Sequence, residues 1–143
     1  MPSDRFLHLM NRAHRILLAV SRGRLGWRAS GMPMLELTTT GRKSGQKRST
    51  MLSSPLQRGG AILVVASRGG DDRHPAWYLN LVANPSVDVV FVGGESQPMR
   101  ARVATSAERA ELWPLVTKDH RNYADYQSNT RREIPLVWLE PRV

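Results

Sequence analysis

The clearest helical pattern along the chain lies near its beginning. Between residues 5 and 22 the apolar side chains recur at steps of three and four, which places them on one face of a helix. The arginines of this segment fall mainly on its other sides. The pattern favours a helix that packs on the domain through its apolar face, and it leaves open the alternative that the helix lies on an anionic membrane surface.

Strand patterns dominate the remainder of the sequence. Runs of apolar and β-branched residues predict strands over residues 34–40, 48–56, 61–66, 87–92, 99–103 and 134–139. The run at 61–66 is continuously apolar, which is typical of a buried central strand. Glycine pairs at 59–60 and 93–94 mark turns, and the second pair predicts a hairpin between its flanking strands.

Helices are expected between these strands. Pro75 suits the first position of a helix, and the residue before Pro85 disfavours its continuation. A second helix is expected to begin after a cap at Thr105 or Ser106, and a shorter one holds residues 123–126. Short, closely spaced strands with helices between them predict one α+β unit built on a small, mostly antiparallel, barrel-like sheet.

Length and composition narrow the classes of protein that this chain can belong to. A chain of 143 residues suits one domain with its own core, and 23% charged residues is ordinary for a soluble globular protein. The sequence has no cysteine, so disulfides, thiolate catalysis and cysteine-ligated metal sites are excluded, and the scattered histidines make no metal motif. The longest apolar stretches are far shorter than the roughly 20 residues that span a bilayer. A cytoplasmic protein is expected, with peripheral contact at the inner face of the membrane left open.

The charge balance points to an anionic partner. Lysine and arginine number 21 against 12 acidic residues, which gives a formal net charge of +9. Such an excess favours a phosphorylated cofactor, a nucleic acid or an acidic membrane. The basic residues form no recognisable nucleic-acid module, so no nucleic-acid partner is expected.

The segment from Thr38 to Arg48 carries the most informative chemistry. It combines two glycines and several hydroxyl groups, among them Ser44, with cations that include Arg42 and Lys43. Glycines permit close approach of a ligand to the backbone, and arginine offers paired donors to phosphate or carboxylate. The segment is neither a Walker A loop nor a Rossmann fingerprint. An anion site and a solvated hairpin turn explain it equally well.

Three further segments have a structural and a functional interpretation. A glycine loop, residues 67–70, follows the apolar run and offers close backbone approach. Trp77 and Tyr78, at the start of a predicted helix, can flank a planar ring or pack in the core. Tyr123 and Tyr126 lie three positions apart, so they share one side of a helical turn and can line a pocket or pack in the domain.

Together these segments resemble the deazaflavin-dependent nitroreductase family of actinobacteria. The resemblance covers nearly everything from about residue 34 onward. The matching blocks, in chain order, are Leu37–Gly45 with Arg48, Val65–Gly70, His74–Leu81 with Ala83–Pro85, Tyr123–Gln127, and Ile134–Pro135 with Leu139–Pro141. Two positions depart from the family pattern: Met51 stands where proline is common, and Arg68 where lysine is common.

The resemblance implies a fold, a cofactor and a set of site residues. The fold is a split β-barrel like that of FMN-binding proteins, with flanking helices, and the cofactor is coenzyme F-420, an 8-hydroxy-5-deazaflavin with a phospholactyl-oligoglutamate tail. The tail is expected on the basic segment and the ring beside the glycine loop and the helix after it. The cofactor-binding residues implied are Arg42, Lys43, Ser44, Arg48, Ala66, Ser67, Arg68, Gly69, Gly70, Pro75, Trp77, Tyr78 and Asn80. On the substrate side the matching positions suggest Tyr123, Tyr126 and Ser67 as donors.

The function implied is reduction of a small electron-poor acceptor, such as an enone, a quinone or a nitro compound, by hydride from the reduced deazaflavin. A non-catalytic deazaflavin carrier and an FMN- or haem-binding split barrel are the alternatives. The partners expected are the cofactor and a small hydrophobic acceptor, and the protein is expected to be a monomer. Residues 1–30 are expected to form the N-terminal helix and a loop, and residues 31–143 the cofactor-binding domain.

Overall fold

The fold is an antiparallel sheet flanked by helices. The computed structural model describes residues 28–29 and 31–142, with side chains from residue 31 onward; the helix expected over residues 5–22 lies outside them. The strands are β1 (Arg28–Ala29), β2 (Met32–Thr40), β3 (Lys47–Ser53), β4 (Leu56–Arg58), β5 (Ala61–Val65), β6 (Ser86–Phe91), β7 (Ser96–Val103) and β8 (Leu136–Pro141). The helices are α1 (Ala76–Ala83), α2 (Ser106–Asp119) and α3 (Arg121–Ser128), and a 3₁₀ turn covers Arg68–Gly70.

The strands follow one another across the sheet in the order β1-β2-β6-β7-β8-β5-β4, and β3 also pairs with β2. Every pairing among these strands is antiparallel, in agreement with the mostly antiparallel sheet that the sequence predicts. The expected hairpin is present between β6 and β7, which are joined by a turn at Val92 and Gly93. The α+β prediction and the order of strands and helices from residue 32 onward are therefore confirmed.

The strand predicted over residues 48–56 is wrong in one respect, since it is divided into β3 and β4. The hydroxyl of Ser54, between them, lies 2.6 Å from the carbonyl oxygen of Leu63 and accepts a hydrogen bond from Nε2 of Gln57 at 2.9 Å. Pro55 follows and has no N–H to offer a neighbouring strand. Because side-chain bonds replace the ladder at this step, the backbone turns from β3 onto β4.

Strands β5 and β8 are buried on both faces. Ile62 and Val64 of β5 face a core that also contains Leu81 of α1. The alternate residues Leu63 and Val65 face a second core, to which α2 and α3 contribute. Side chains of a strand point alternately to its two faces, so helices on both sides require a continuous apolar run. The buried central strand expected from the sequence is confirmed, and it ends at the glycine loop.

Helix α2 begins at a capping box that is tied to the sheet. The hydroxyl of Thr105 accepts from the backbone N–H of Glu108 at 3.2 Å, and the carboxylate of Glu108 accepts from the N–H of Thr105 at 2.9 Å. Arg102 of β7 donates to the same carboxylate at 2.7 Å and to Glu140 of β8 at 3.0 Å. The helix start is therefore bonded to β7, and Arg102 links it through a second ion pair to β8.

Glu108 gives the stability of the fold a defined dependence on pH. Hydrogen bonds from Arg102 and from the N–H of Thr105 lower the pKa of Glu108 to about 2 from its ordinary value of 4.5. A carboxylate with a lowered folded-state pKa stabilises the fold above its ordinary pKa, and this contribution is lost as the pH falls toward the folded-state value. We expect Glu108→Gln to lower the melting temperature at neutral pH and to differ much less from the wild type near pH 2. Glu111→Gln, on the exposed side of the same helix, is the control, and an equal effect of Glu108→Gln at both pH values would contradict the prediction.

Candidate functional site

The turn between β2 and β3 has a fixed shape that depends on Gly41. We call residues 41–48 the basic loop. The N–H of Gly41 donates to the carbonyl of Gln46 at 2.7 Å, and the N–H of Gly45 donates to the carbonyl of Gly41 at 2.8 Å. A Cβ atom at Gly41 would lie 2.7 Å from Oγ of Ser44 and 3.2 Å from the carbonyl oxygen of Gln46. Ser44 also accepts from the N–H of Gln46 at 3.1 Å, so its hydroxyl helps to shape the turn.

Asn80 of α1 joins the basic loop to the helix. Its side chain is only 4% exposed. Its Oδ1 accepts from the backbone N–H of Arg42 at 3.2 Å and from Nη1 of Arg42 at 2.9 Å. Its Nδ2 donates to the hydroxyl of Thr39 at 3.2 Å. One buried amide thus fixes both the backbone and the guanidinium of Arg42, while Thr39 anchors the amide itself.

The basic loop presents a strong local excess of positive charge. Arg48 is the cross-strand partner of Thr39, so its side chain lies on the face of the sheet where Thr39 contacts Asn80. Lys43, Lys47 and Arg48 are exposed, and none of them forms an ion pair with the residues that the structure describes. No acidic residue occurs between residues 37 and 70, whereas six cations do: Arg42, Lys43, Lys47, Arg48, Arg58 and Arg68. This surface suits a ligand with several negative charges.

The glycine loop, residues 67–70, has a backbone that few sequences can adopt. Arg68, Gly69 and Gly70 all have positive φ, at 47°, 63° and 84°. Arg68 is held there by an ion pair with Asp71, whose carboxylate also accepts from the N–H of Arg73 at 2.9 Å. That backbone hydrogen bond and the nearby arginines lower the pKa of Asp71, which favours the charged form needed for the ion pair. The loop is therefore preorganised.

Gly70 packs directly on α3. A Cβ atom at this position would lie 2.9 Å from the carbonyl oxygen of Tyr126 and 3.1 Å from its Cα atom. The close approach places the glycine loop against the helix that carries both predicted substrate-side tyrosines. Glycine is required here by the positive φ and by the contact with α3.

Ser67 is buried, and its hydroxyl has no hydrogen-bond partner within the part of the chain that the structure describes. Ser67 is only 9% exposed, and its Oγ contacts no donor or acceptor of the described residues, although its backbone carbonyl accepts from Gly70 and Arg132. Buried hydroxyl groups are almost always hydrogen-bonded, so an orphaned one at a loop of this kind indicates a place for a polar atom of a bound molecule.

The two predicted tyrosines differ in their accessibility. Their rings lie 6.1 Å apart in an edge-to-face arrangement, as expected for neighbours on one side of a turn. Tyr126 is half-buried, whereas Tyr123 is 6% exposed and its hydroxyl lies 3.6 Å from the sulfur of Met32. Burial raises the pKa of Tyr123 far above the ordinary value, so its hydroxyl keeps its proton. In this arrangement Tyr123 packs in the second core and Tyr126 lies nearer the glycine loop.

The start of α1 connects the glycine loop to the first core. Pro75 is the residue before the helix, and not its first residue as the sequence predicts. Ala66, at the other side of the glycine loop, donates its N–H to the carbonyl of Pro135 at 3.0 Å. Trp77 and Tyr78 are half-buried against the first core, with rings 6.5 Å apart. Both therefore support the helix as core residues, and any contact with a ring stays a prediction.

Arg132 is a residue of this region that the sequence reasoning missed. Its guanidinium donates to the backbone carbonyls of Ala66, Ser67 and Asp71, at 3.1, 2.8 and 2.8 Å. It lies in an irregular segment between α3 and β8, where a side chain far along the chain reaches back to the end of β5. No local pattern signals such a contact, because Arg132 is one of many arginines in the sequence.

The geometry brings the predicted residues into two groups linked by α1. One group lies at the basic loop, and the predicted residues there are Arg42, Lys43, Ser44, Arg48 and Asn80. The other lies at the glycine loop, and the predicted residues there are Ala66, Ser67, Arg68, Gly69, Gly70, Pro75 and Tyr126. The first group supplies cations, and the second supplies close backbone approach and an orphaned hydroxyl.

Among residues 31–142 no cluster of histidine and acidic side chains could hold a metal ion. No helix in the described part of the chain is long and apolar enough to cross a membrane.

Comparisons with known proteins agree with this arrangement. Residues 10–141 match the family described as "F420H(2)-dependent quinone reductase". The Mycobacterium tuberculosis protein F420H(2)-dependent quinone reductase Rv1261c is 40% identical over 137 residues, which are 92% of this chain and 89% of that protein. A solved F420-H2 dependent reductase, FDR-A, is 41% identical, with a TM-score of 0.66 over 76% of this chain and 94% of that one. A solved structure described as a domain-swapped dimer is 37% identical, with a TM-score of 0.68 over 92% of this chain and 96% of that one.

Proposed function

This chain belongs to the family of F420H(2)-dependent quinone reductases, and we propose that it passes hydride from reduced coenzyme F-420 to a quinone or another electron-poor acceptor. The family match confirms the resemblance to deazaflavin-dependent reductases and the cofactor it implies. The likeness to the solved F420-H2 dependent reductase and to the domain-swapped dimer likewise confirms the split-barrel-like α+β fold. The roles of individual residues, given next, are part of the proposal.

The basic loop suits the anionic tail of the deazaflavin. A phosphate and a chain of carboxylates need several cations that are not already neutralised, and Lys43, Lys47 and Arg48 are exposed and without ion pairs among the described residues. Arginine binds such groups through paired donors, and Arg42 is held in place for this by Asn80. We assign the tail to Arg42, Lys43 and Arg48, with Ser44 shaping the turn.

The glycine loop suits the deazaflavin ring. Gly69 is partly exposed and has positive φ, so at this position the backbone carries no side chain and a flat ring can approach it closely. The orphaned hydroxyl of Ser67 offers one hydrogen bond to a polar atom of a bound molecule. This hydroxyl is the observation that carries the assignment, because buried hydroxyl groups are seldom left without a partner.

The bound cofactor supplies the hydride, and the protein supplies orientation and stabilisation of charge. The acceptor gains negative charge on oxygen during reduction, and hydroxyl donors placed beside it stabilise that charge. Ser67 and Tyr126 are the donors in this proposal. The expected role of Tyr123 as a further donor stays a prediction, since its hydroxyl is turned toward Met32 while its ring packs edge-to-face on that of Tyr126. Solvent supplies the proton.

Binding of the deazaflavin tests the assignment of the basic loop. We expect fluorescence titration to show tight binding of oxidised coenzyme F-420 and much weaker binding of FMN, whose single phosphate uses fewer cations. Lys43→Ala is expected to weaken deazaflavin binding by about tenfold at low salt and by less at high salt, since the contact is exposed and screened. Lys118→Ala, an exposed lysine on α2, makes the same charge change away from the loop and serves as control. Equal effects of both variants would contradict the assignment.

A carrier that holds the deazaflavin without catalysis is the alternative, and an acceptor assay separates it from a reductase. If the protein is a reductase, an added quinone oxidises the reduced deazaflavin faster when the deazaflavin is bound to the protein than when it is free in solution. A carrier shows no acceleration, and replacing Tyr126 by phenylalanine leaves every property of a carrier intact.

The oligomeric state is also part of the proposal. A monomer is proposed, although one solved structure 37% identical to this chain is described as a domain-swapped dimer. Light scattering on the purified protein decides between the two. The boundary at residue 30 and the membrane contact of the first helix stay predictions, because residues 1–27 lie outside the described part of the chain.

A further inference from the structure

We propose that Arg132 is a positioning residue that holds the glycine loop and one tautomer of His74 in the arrangement that receives the deazaflavin ring. The inference rests on the proposed function, since it assigns a purpose to contacts around the proposed ring site. The observation behind it is one guanidinium with four acceptors drawn from a single stretch of chain, residues 66–74.

The contacts of Arg132 use all three nitrogens of its planar guanidinium. Nε donates to the carbonyl of Asp71 at 2.8 Å, and Nη2 donates to the carbonyl of Ser67 at 2.8 Å. Nη1 lies 3.1 Å from the carbonyl oxygen of Ala66 and 3.2 Å from Nδ1 of His74. These carbonyls precede, begin and follow the glycine loop. A planar group with donors in fixed directions can hold all of them at once, whereas a lysine ammonium on a flexible stem cannot.

The backbone of Arg132 is itself held from two helices. Nε2 of Gln127, on α3, donates to the carbonyl of Arg132 at 2.8 Å. The orientation of this amide is fixed, because Oε1 of Gln127 accepts from the N–H of Ile134 at 2.9 Å and from Nη2 of Arg109 at 3.0 Å. Arg109, on α2, also donates through Nε to the carbonyl of Ile134 at 2.9 Å. The guanidinium therefore reaches the glycine loop from an anchored base.

The contact with His74 selects one tautomer. A guanidinium has donors only, so Nδ1 of His74 must accept, and the proton of the neutral ring must sit on Nε2. Burial, and then the positive charge of Arg132, lower the pKa of His74 and favour this neutral form. The ring lies 4.8 Å from that of Tyr78, on the first turn of α1. Arg132 thus orders the entrance of α1 as well as the glycine loop.

Loss of these contacts would disturb the conformation of the proposed ring site more than the packing of the core. The carbonyls of Ala66 and Ser67, which follow the end of β5, accept two hydrogen bonds from Arg132. A third goes to the carbonyl of Asp71, whose side chain forms the ion pair with Arg68. Without the guanidinium, the orphaned hydroxyl of Ser67 no longer has a fixed direction. Strand β5 remains paired with β4 and β8, so the fold persists.

The test compares Arg132→Lys and Arg132→Gln with the wild type in three measurements: the dissociation constant of the deazaflavin, the kcat and KM for a quinone, and the nitrogen chemical shifts of His74 in ¹⁵N-labelled protein. We expect both variants to weaken deazaflavin binding by about tenfold or more, and lysine not to rescue it although it keeps the charge. The KM for the quinone is expected to change less than kcat. The wild-type spectrum should show His74 protonated at Nε2 alone, and both variants should show a mixture of tautomers. Arg131→Gln, at the exposed neighbouring arginine, is the control and should match the wild type in all three.

Each outcome decides the inference. Wild-type binding and tautomer in both variants, or rescue by lysine, would overturn it. If both variants failed to fold, the wild-type spectrum alone would decide, since a proton on Nδ1 of His74 contradicts the geometry. If the wild type bound no deazaflavin, the proposed function would fail, while the tautomer of His74 would still report whether Arg132 holds it.

Discussion

Replacing Asn80 with leucine is expected to weaken deazaflavin binding by about 30-fold, which corresponds to roughly 2 kcal/mol. Leucine has nearly the same size and fits the same buried position, but it offers no acceptor to Arg42 and no donor to Thr39. Hydrogen bonds to a charged group contribute about 1.5–3 kcal/mol each, and their loss frees the guanidinium of Arg42 from the direction in which it meets an anion.

The same substitution should also destabilise the fold, for a separate reason. Thr39 is 1% exposed, and the amide of Asn80 is the donor that its hydroxyl contacts. A buried polar group without its partner costs about 1–3 kcal/mol. Denaturant unfolding measures this part, and titration of the folded protein with the deazaflavin measures the part due to Arg42.

A double-mutant cycle separates this explanation from a general disturbance of α1. Arg42→Ala alone should weaken binding to a similar extent, and the double variant should be little worse than either single one, because both changes remove the same contact. Titration of the four proteins under one set of conditions supplies the comparison. Additive losses would show that Asn80 and Arg42 act independently and would contradict the assignment of Asn80 as the link between helix and loop.

Gly70→Ala is expected to lower the free energy of unfolding by about 2–4 kcal/mol and to abolish most deazaflavin binding. The new Cβ atom meets the carbonyl oxygen and Cα of Tyr126 at 2.9 and 3.1 Å, and both atoms belong to the backbone of α3. Neither can move without displacing the helix. Either α3 shifts away from the glycine loop or the loop loses its conformation, and both changes spoil the proposed ring site.

Gly60→Ala provides a matched control for the backbone strain. Gly60 has φ of 85°, almost the same as the 84° of Gly70, but its new Cβ would meet only Cγ of Pro141 at an ordinary 3.5 Å. Gly60→Ala should therefore carry the cost of a positive φ, about 1–2 kcal/mol, and no loss of binding. Denaturant unfolding and deazaflavin titration of both variants make the comparison. If the two variants behaved alike, the contact between the glycine loop and α3 would have no energetic role.

The hydrophobic pattern predicted most of the fold because the elements follow simple local rules. The apolar run of β5 reflects its burial on both faces, and the cap at Thr105 is a local signal that the structure uses. The division between β3 and β4 escaped prediction, because it depends on the hydroxyl of Ser54 finding the carbonyl of Leu63. That bond joins residues nine positions apart through a side chain, and no periodicity reports it.

The candidate site was predictable in its composition and not in its connections. The sequence identified the cations of the basic loop and the glycines of residues 69 and 70, since both carry their chemistry locally. It did not indicate that Asn80 binds Arg42, or that Arg132 holds the carbonyls of the glycine loop. These bonds join residues 38 and 65 positions apart. Polar contacts of that range are set by the tertiary fold, which a single sequence does not reveal.

The burial of Tyr123 shows the same limit. Spacing placed Tyr123 and Tyr126 on one side of a helical turn, and their rings do contact each other. It could not show that Tyr123 is fully buried in the second core while Tyr126 is only partly buried against it, because that depends on how α3 is rotated against Met32 and β8.

The most direct test of the proposed function is a single-turnover reaction under anaerobic conditions. Purified protein loaded with reduced deazaflavin is mixed with a soluble naphthoquinone, and return of the absorbance of the oxidised deazaflavin is followed against time. The proposal predicts oxidation much faster than that of free reduced deazaflavin at the same quinone concentration, and a slower reaction for Tyr126→Phe. Oxidation at the rate of the free cofactor, with the cofactor demonstrably bound, would contradict it and would leave the protein as a carrier.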